Sequence, residues 1–259
     1  MKVYVVNAFT KEKFGGNPAA IVPLREWLSD DLMQEIAAQH NLAETAYIVP
    51  QGNDYAIRWF TPAVEVDLCG HATLASAHVF FNHLDYKKDK IHFHSKSGPL
   101  HVSKLDGGKI MLDFPVNAPV PTERVQIIED ALHVKPLEIY NSTFDYMVLL
   151  ENQEAIERLS PDFKTLAQVP SRGVIATAKG NDSDFVSRCF FPQSGIDEDP
   201  VTGSAHTVTV PYWAKKLGKS KLTAIQLSKR RGYLDCELAG DRVLMSGHGV
   251  TYLVGDILV

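Results

Sequence analysis

Two segments of this chain predict helices with nowhere to face water. The first runs from about Gly70 to Asn82. Its residues Ala72, Leu74, Ala75, Ala77, Val79, Phe80 and Phe81 are apolar nearly all the way round. The second runs from about Gly203 to Leu217. A helix without a polar face has to be enclosed on every side, so each must be wrapped by other elements. Strand patterns supply the wrapping. Around the first helix they fall at residues 2–9, 45–49, 55–60, 91–94, 100–105 and 109–114, with a buried segment at Ala19–Val22. A helix over about 30–40 starts from Ser29 as N-cap. Around the second helix, strands fall at 146–150, 173–178, 185–191 and in hairpins over 224–259, with surface helices at 122–133 and 152–159. Pro115, Pro119 and Pro121 mark a linker between the halves. The chain therefore predicts an α+β tandem of two similar units, with a small-molecule cleft between them. Pro211 lies inside the second helix, where it predicts a weakened or kinked turn.

Composition narrows the function. The 259 residues are 45% hydrophobic and 22% charged with a net charge of −5, as in a soluble globular protein. Lys87-Lys88 and Lys229-Arg230-Arg231 are too short for a nucleic-acid footprint. No apolar run reaches a membrane span, and Met1–Val6 reads as a strand rather than a signal peptide. The three cysteines, Cys69, Cys189 and Cys236, are widely spaced, which fits a reducing cytosol and no disulfide framework. The expectation is a cytoplasmic protein with no nucleic-acid and no membrane partner.

Both enclosed helices follow an acidic stretch that ends in a glycine. Val64-Glu65-Val66-Asp67-Leu68-Cys69-Gly70-His71-Ala72-Thr73 precedes and opens the first. Ile196-Asp197-Glu198-Asp199-Pro200-Val201-Thr202-Gly203-Ser204-Ala205-His206 does the same for the second. A helix N-terminus carries about half a positive charge and unpaired N–H donors, so it suits a carboxylate. Gly70, Gly203 and Ser204 are candidate anion donors, or ordinary helix starts. His71, in the first turn, is expected to have a lowered pKa and a neutral ring, as a proton shuttle or as a structural histidine. Asp199 is a second acid/base group or a cap. Asp197 and Glu198 read as a solvated loop. Glu44 stands just before Ala46-Tyr47-Ile48-Val49 and is either a solvated strand-end carboxylate or a buried one tuned for proton transfer. Cys69 is a thiolate activated by the helix terminus or a buried filler. His92 and His94 share a strand face near His101 but lack a third ligand at a metal spacing, so they read as surface residues. No phosphate loop or dinucleotide fingerprint is present.

Five motifs in order carry a resemblance that spans the chain. They are Phe14-Gly15-Gly16-Asn17-Pro18-Ala19-Ala20, Asn41-Leu42-Ala43-Glu44-Thr45-Ala46, Cys69-Gly70-His71-Ala72-Thr73, Ser97-Gly98-Pro99-Leu100 and Glu198-Asp199-Pro200-Val201-Thr202-Gly203-Ser204-Ala205-His206. Together they resemble the PhzF-like isomerase family of phenazine biosynthesis. The resemblance implies a diaminopimelate epimerase-like fold: two pseudo-symmetric domains, each a β-sheet barrel around one central helix. The domains are expected at 1–116, with the last strand at about 250–259 returning to the first, and at 117–249, with the active site in the cleft. It also implies an enzyme without metal or cofactor, often a homodimer. By position, Glu44 shuttles a proton, His71 and Asp199 assist, and Asn17, Gly70, Gly203 and Ser204 bind substrate. Epimerases of this fold use two opposed cysteines. Here Cys69 resembles the first, but Thr202 stands at the second place.

The expected activity is cofactor-independent acid/base isomerisation of a small carboxylated substrate. Two alternatives remain at this level: an amino- or hydroxy-acid epimerase or dehydratase using Cys69, and a small-acid-binding protein without turnover.

Overall fold

The computed structural model describes residues 1–259, which divide into two compact units. Unit 1 comprises Met1–Asp113 and Ser246–Val259, and unit 2 comprises Phe114–Met245. No helix is long and apolar enough to cross a membrane.

Unit 1 is built from β1 (Lys2–Ala8), β2 (Asn17–Pro23), α1 (Asp30–His40), β3 (Glu44–Gln51), β4 (Asp54–Phe60), β5 (Glu65–Val66), α2 (Gly70–His83), β6 (Lys90–Ser95), β7 (Gly98–Lys104), β8 (Ile110–Pro115, reaching into unit 2) and the final strand, β18 (Gly249–Asp256). The strands run in the order β18-β1-β2-β3-β4-β6-β7-β8. Helix α2 packs against β18, β1, β2, β3 and β7. A flat sheet could not bring strands from both ends of that order onto one helix, so the sheet curls around α2. His71 to Ala77, Val79 and Phe80 are all buried, as the absence of a polar face requires. Leu74 is fully buried, and truncating such a side chain to alanine costs about 2–5 kcal/mol. Helix α1 lies outside the curl. Ser29 Oγ caps Leu32 N–H at 3.3 Å, Asn41 ends the helix in the left-handed region, and Met33, Ile36 and Ala37 face inward.

Unit 2 contains β9 (Val120–Pro121), α3 (Gln126–Leu132), β10 (Glu138–Asn141), β11 (Asp145–Leu149), α4 (Gln153–Glu157), α5 (Phe163–Leu166), β12 (Gly173–Lys179), β13 (Phe185–Phe191), β14 (Ile196–Asp199), α6 (Gly203–Leu217), β15 (Lys221–Gln226), β16 (Gly232–Ala239) and β17 (Arg242–Gly247, reaching into unit 1). Its pairings repeat those of unit 1. From β10 to β16 they run antiparallel, parallel, antiparallel, parallel, antiparallel. From β1 to β7 the sequence of pairings is the same. In each unit a short strand, β5 or β14, folds back on its neighbour and leads into the enclosed helix. Ala205 and Val208 of α6 pack on Met147, Ile175, Cys189 and Phe191.

One expectation is corrected here. Asp197 and Glu198 belong to strand β14 rather than to a loop, and the Glu198 carboxylate accepts two hydrogen bonds from Arg188, at 2.7 and 2.9 Å. Helix α6 runs through Pro211 without interruption. The proline removes the N–H that would bond to the Thr207 carbonyl one turn back, and the Asn117 N–H donates to that carbonyl instead, at 3.1 Å.

Candidate active site

The site in unit 1 forms where the first residues of β2 and β3 meet the first turn of α2. The chain enters β2 through Gly16, whose φ is +63°. A Cβ there would collide with the Ala8 carbonyl oxygen, so only glycine allows this turn. It delivers Asn17, fully buried, with its amide 3.2 Å from His71 Nδ1. Glu44, the first residue of β3, places Oε2 3.0 Å from His71 Nε2. Cys69 is the N-cap of α2, and its Sγ lies 3.5 Å from His71 Nδ1. The imidazole thus has close neighbours at both nitrogens.

The electrostatics reverse one expectation. Burial acts against charge on His71, but neighbouring Cys69 and Glu44 outweigh it and raise its pKa well above the usual imidazole value. The helix terminus does not keep this ring neutral, because a carboxylate 3.0 Å away acts more strongly than a partial charge spread over backbone amides. Asn17 serves either ring state, since an amide can present its NH₂ to a neutral nitrogen or its oxygen to a protonated one. Cys69 moves the other way from an activated thiolate. Burial, reinforced by the charge of Glu44, pushes it up to about 11, so it is a thiol at neutral pH.

Buried Glu44 Oε2 and His71 Nε2 approach to 3.0 Å without hydrogen-bond geometry, and neither atom has another partner. Most buried polar atoms are satisfied. Glu44 Oε2 and His71 Nε2 are an adjacent pair of exceptions. Glu44, Cys69 and His71 also hold donor atoms within 4.8 Å of one another, close enough for a cation. His92 and His94 lie elsewhere, on the exposed face of β6 beside Asp54, at 3.8 and 3.3 Å.

Unit 2 carries its own constellation at the start of α6, where Thr202 is the N-cap. Asp199 is buried and accepts a 2.5 Å hydrogen bond from Thr202 Oγ1. Gln226 locks that turn. Its Oε1 accepts from Thr202 N–H at 2.8 Å, and its Nε2 donates to the Asp199 carbonyl at 2.8 Å. Ser204 Oγ accepts from Arg172 at 3.0 Å, while Arg172 also donates twice to the fully buried Asp145 carboxylate. His206 is enclosed, pushed down to about 4 by burial, and donates through Nδ1 to the Thr202 carbonyl at 2.8 Å. Neither α2 nor α6 has a side-chain hydrogen bond from its N-cap residue or an acidic residue in its first turn.

The structure brings Glu44, His71 and Asn17 together as one cluster, and Asp199, Gly203 and Ser204 fall together around the start of α6. Three contributors are not legible in it. Arg172 and Asp145 lie in no motif, and Gln226 reads as an ordinary strand residue. A signal existed for the first two: each sits at the beginning of a strand pattern, as Glu44 and Asn17 do.

The profile of the family described as "phenazine biosynthesis-like protein" matches residues 6–255. A Pseudomonas aeruginosa protein named an uncharacterized isomerase is 49% identical over 99% of this chain and 98% of its own length. The solved structure of a PhzF-family phenazine biosynthesis protein from Enterococcus faecalis superposes with a TM-score of 0.97 at 44% identity, covering 100% of this chain and 99% of the other. A probable proline racemase from Agrobacterium radiobacter shares the fold, with a TM-score of 0.66 at 10% identity over 100% of this chain and 93% of its own. The shared fold is the diaminopimelate epimerase-like one, and the chain belongs to the PhzF-like isomerase family of phenazine biosynthesis-like proteins.

Proposed function

We infer that this isomerase moves a proton within a small carboxylated substrate, using Glu44 as the base and His71 as its acidic partner, without a cofactor. The observation that carries the reading is the buried Glu44–His71 pair, 3.0 Å apart and without hydrogen-bond geometry. At neutral pH the pair offers an acceptor and a donor side by side. Glu44 takes a proton from a carbon activated by the substrate's own unsaturation or carboxyl group, and the pair returns one to a different carbon. Asn17 holds the His71 ring in place throughout. The amides of Gly70 and His71, at an α2 terminus without side-chain cap, suit the substrate's negative charge. Cys69 is a poor candidate for the base, because a buried thiol with a pKa of about 11 offers little thiolate near neutrality.

Incubation in deuterated water with a panel of small cyclic and amino-acid carboxylates, read by mass spectrometry, tests this. A positioned acid/base group contributes about 10²–10⁴-fold in rate. Glu44→Gln should therefore lose deuterium incorporation by that factor while still binding. Incorporation at the wild-type rate in Glu44→Gln removes Glu44 from the role of base.

A further inference from the structure

Three histidines and a carboxylate meet on the outer face of the unit 1 sheet, turned away from α2. Strand β6 sets the two faces. Ile91 and Phe93 are fully buried, and Phe93 meets Phe80 of α2 with ring centres 6.0 Å apart. His92 and His94 alternate with them and are exposed on the other face. In the hairpin with β7, His101 stands directly opposite His92. On the other side, β4 runs parallel to β6, with Tyr55 against Phe93 and Ala56 against His94, so Asp54 comes alongside His92. The third imidazole that β6 itself lacks is thus brought by one neighbouring strand, and a carboxylate by the other.

The distances suit a shared ion. The Asp54 carboxylate reaches both imidazoles of β6, with Oδ2 3.3 Å from His94 Nε2 and Oδ1 3.8 Å from His92 Nδ1. Donor atoms around a tetrahedral zinc, each about 2.0–2.1 Å from the metal, stand roughly 3.3 Å from one another. Two imidazoles that share such an ion have ring centres roughly 4.5–5.5 Å apart. The ring centres of His92 and His101 are 4.7 Å apart, with the planes at 81°. The remaining adjustment falls on side chains that can make it. His92 and His94 are each 47% exposed and Asp54 is 37% exposed, and such side chains change rotamer without disturbing a core. Asp113, opposite His101 on β8, adds negative charge to the same face. Lys90, two residues from His92, is the opposing charge on β6.

The donor types select the ion. Three imidazoles and one carboxylate, with no thiolate, suit zinc, copper or nickel rather than calcium or magnesium, which take oxygen ligands. We propose that His92, His94, His101 and Asp54 form a surface site for a divalent transition-metal ion of this imidazole-favouring class, which ties β4, β6 and β7 together on the outer face of unit 1. The site is separate from Glu44 and His71, and it is not required for proton transfer.

Zinc is the probe. Full-length protein is treated with a chelator, exchanged into a non-coordinating buffer and titrated with Zn²⁺ by calorimetry, while long-range proton–nitrogen spectra follow the imidazole nitrogens. The wild type should bind one Zn²⁺ with shifts at His92, His94 and His101. His92→Gln removes the ring that neighbours both Asp54 and His101. It should weaken Zn²⁺ at least roughly tenfold, the lower bound even for a group that only supports a ligand. Asp54→Asn, which keeps the shape and loses the charge, should also weaken it. His94→Gln with His101→Gln should leave no saturable binding at these rings. All four side chains are accessible to solvent, so the variants should melt like the wild type in the presence of chelator. Zn²⁺ should raise the Tm of the wild type and leave that of the double variant unchanged. Glu44→Gln should bind Zn²⁺ like the wild type. Equal Zn²⁺ affinity in the wild type and the double variant overturns the proposal. So do Zn²⁺-induced shifts at His71 in place of the β6 and β7 rings, or a Zn²⁺ affinity that is lost in Glu44→Gln.

Discussion

Glu44→Gln probes the coupling at the centre of unit 1 without any substrate. The change keeps the side-chain shape and removes one negative charge 3.0 Å from His71 Nε2. With an effective dielectric of about 20, the attraction lost is about 332/(20 × 3.0), or roughly 5–6 kcal/mol before desolvation is counted. Burial is the largest single influence on His71 and favours the neutral ring; it is overcome only by the neighbouring groups. Cys69 also raises His71 and remains in the variant, so what the substitution removes is the Glu44 share alone. Wild-type His71 should therefore hold its proton to a higher pH than His71 of Glu44→Gln does. Long-range proton–nitrogen correlation spectra of labelled protein distinguish the imidazolium from either neutral tautomer. The linkage has a definite sign. A histidine whose folded pKa is raised adds stability that is fully present below its unfolded value of about 6.5 and is lost as pH rises through the folded pKa. The gap in unfolding free energy between wild type and Glu44→Gln should accordingly narrow from about pH 6 upward. Spectra showing His71 in the same charge state in both proteins would refute the reasoning, because the carboxylate would then not be what holds the proton.

Cys69→Ser should keep turnover within about tenfold of wild type, since the thiol is not the base, and a thiol alkylating agent should react with it only slowly at neutral pH; a loss as large as that of Glu44→Gln would return the chemistry to sulfur. Deuterium exchange should persist after dialysis against a chelator, with metal analysis run on the same sample; exchange that stops and is restored by one cation would place that cation among Glu44, Cys69 and His71. Arg172→Met should destabilise by about 3 kcal/mol or more in urea titrations, because it strands the fully buried Asp145 carboxylate, whereas Asp145→Asn should cost less, because Arg172 still reaches water. His206 and His78, each pushed down to about 4 by burial, have the opposite linkage to His71: their contribution is complete above about pH 6.5 and falls as pH drops toward 4, at up to about 1.4 kcal/mol per pH unit each. His206→Gln should flatten that acid limb in pH-dependent unfolding.

The enclosed helices were the most legible part of the fold. A helix with Leu74, Ala75, Ala77, Val79 and Phe80 around its circumference leaves no choice but burial, and the strands that wrap it follow. The Ser29 cap and the glycine before Asn17 were legible for the same reason, because each satisfies a local backbone demand. Strand β14 was hidden because Asp197, Glu198 and Asp199 carry none of the apolar alternation that marks a strand; Arg188, on the neighbouring strand, supplies the charge that holds Glu198. The partner of the Thr207 carbonyl that Pro211 leaves free within α6 was hidden because it is the Asn117 N–H, from a residue far away in the chain. The direction of the His71 shift was misjudged for a related reason. The helix terminus is visible in sequence, but the Glu44 carboxylate that outweighs it arrives from another strand.

The internal repeat explains how one scaffold can hold two kinds of chemistry. Both units solve the same folding problem, a curled sheet around a helix whose N-terminal amides have no side-chain cap. Neither the pairing order nor the burial of the helix depends on the side chains at the strand beginnings, so those positions are free to differ. In unit 1 they hold Asn17 and Glu44, with a histidine on the helix, and the group can exchange a proton. In unit 2 they hold Asp145 and, just ahead of the strand, Arg172, with a serine on the helix, so a guanidinium and a hydroxyl stand where unit 1 sets a carboxylate and an imidazole. Thr202 in place of a second cysteine belongs to the same divergence. Its hydroxyl is committed to Asp199 at 2.5 Å and its N–H to Gln226, so the position that would carry a second acid/base thiol instead stiffens the turn beneath Ser204. The stereochemistry of deuterium incorporation tests the Glu44 reading: label delivered to the same face from which the proton was removed supports a single Glu44–His71 base, and inversion at one carbon would require a second base, for which the Asp199 carboxylate beside Thr202 is the candidate in unit 2.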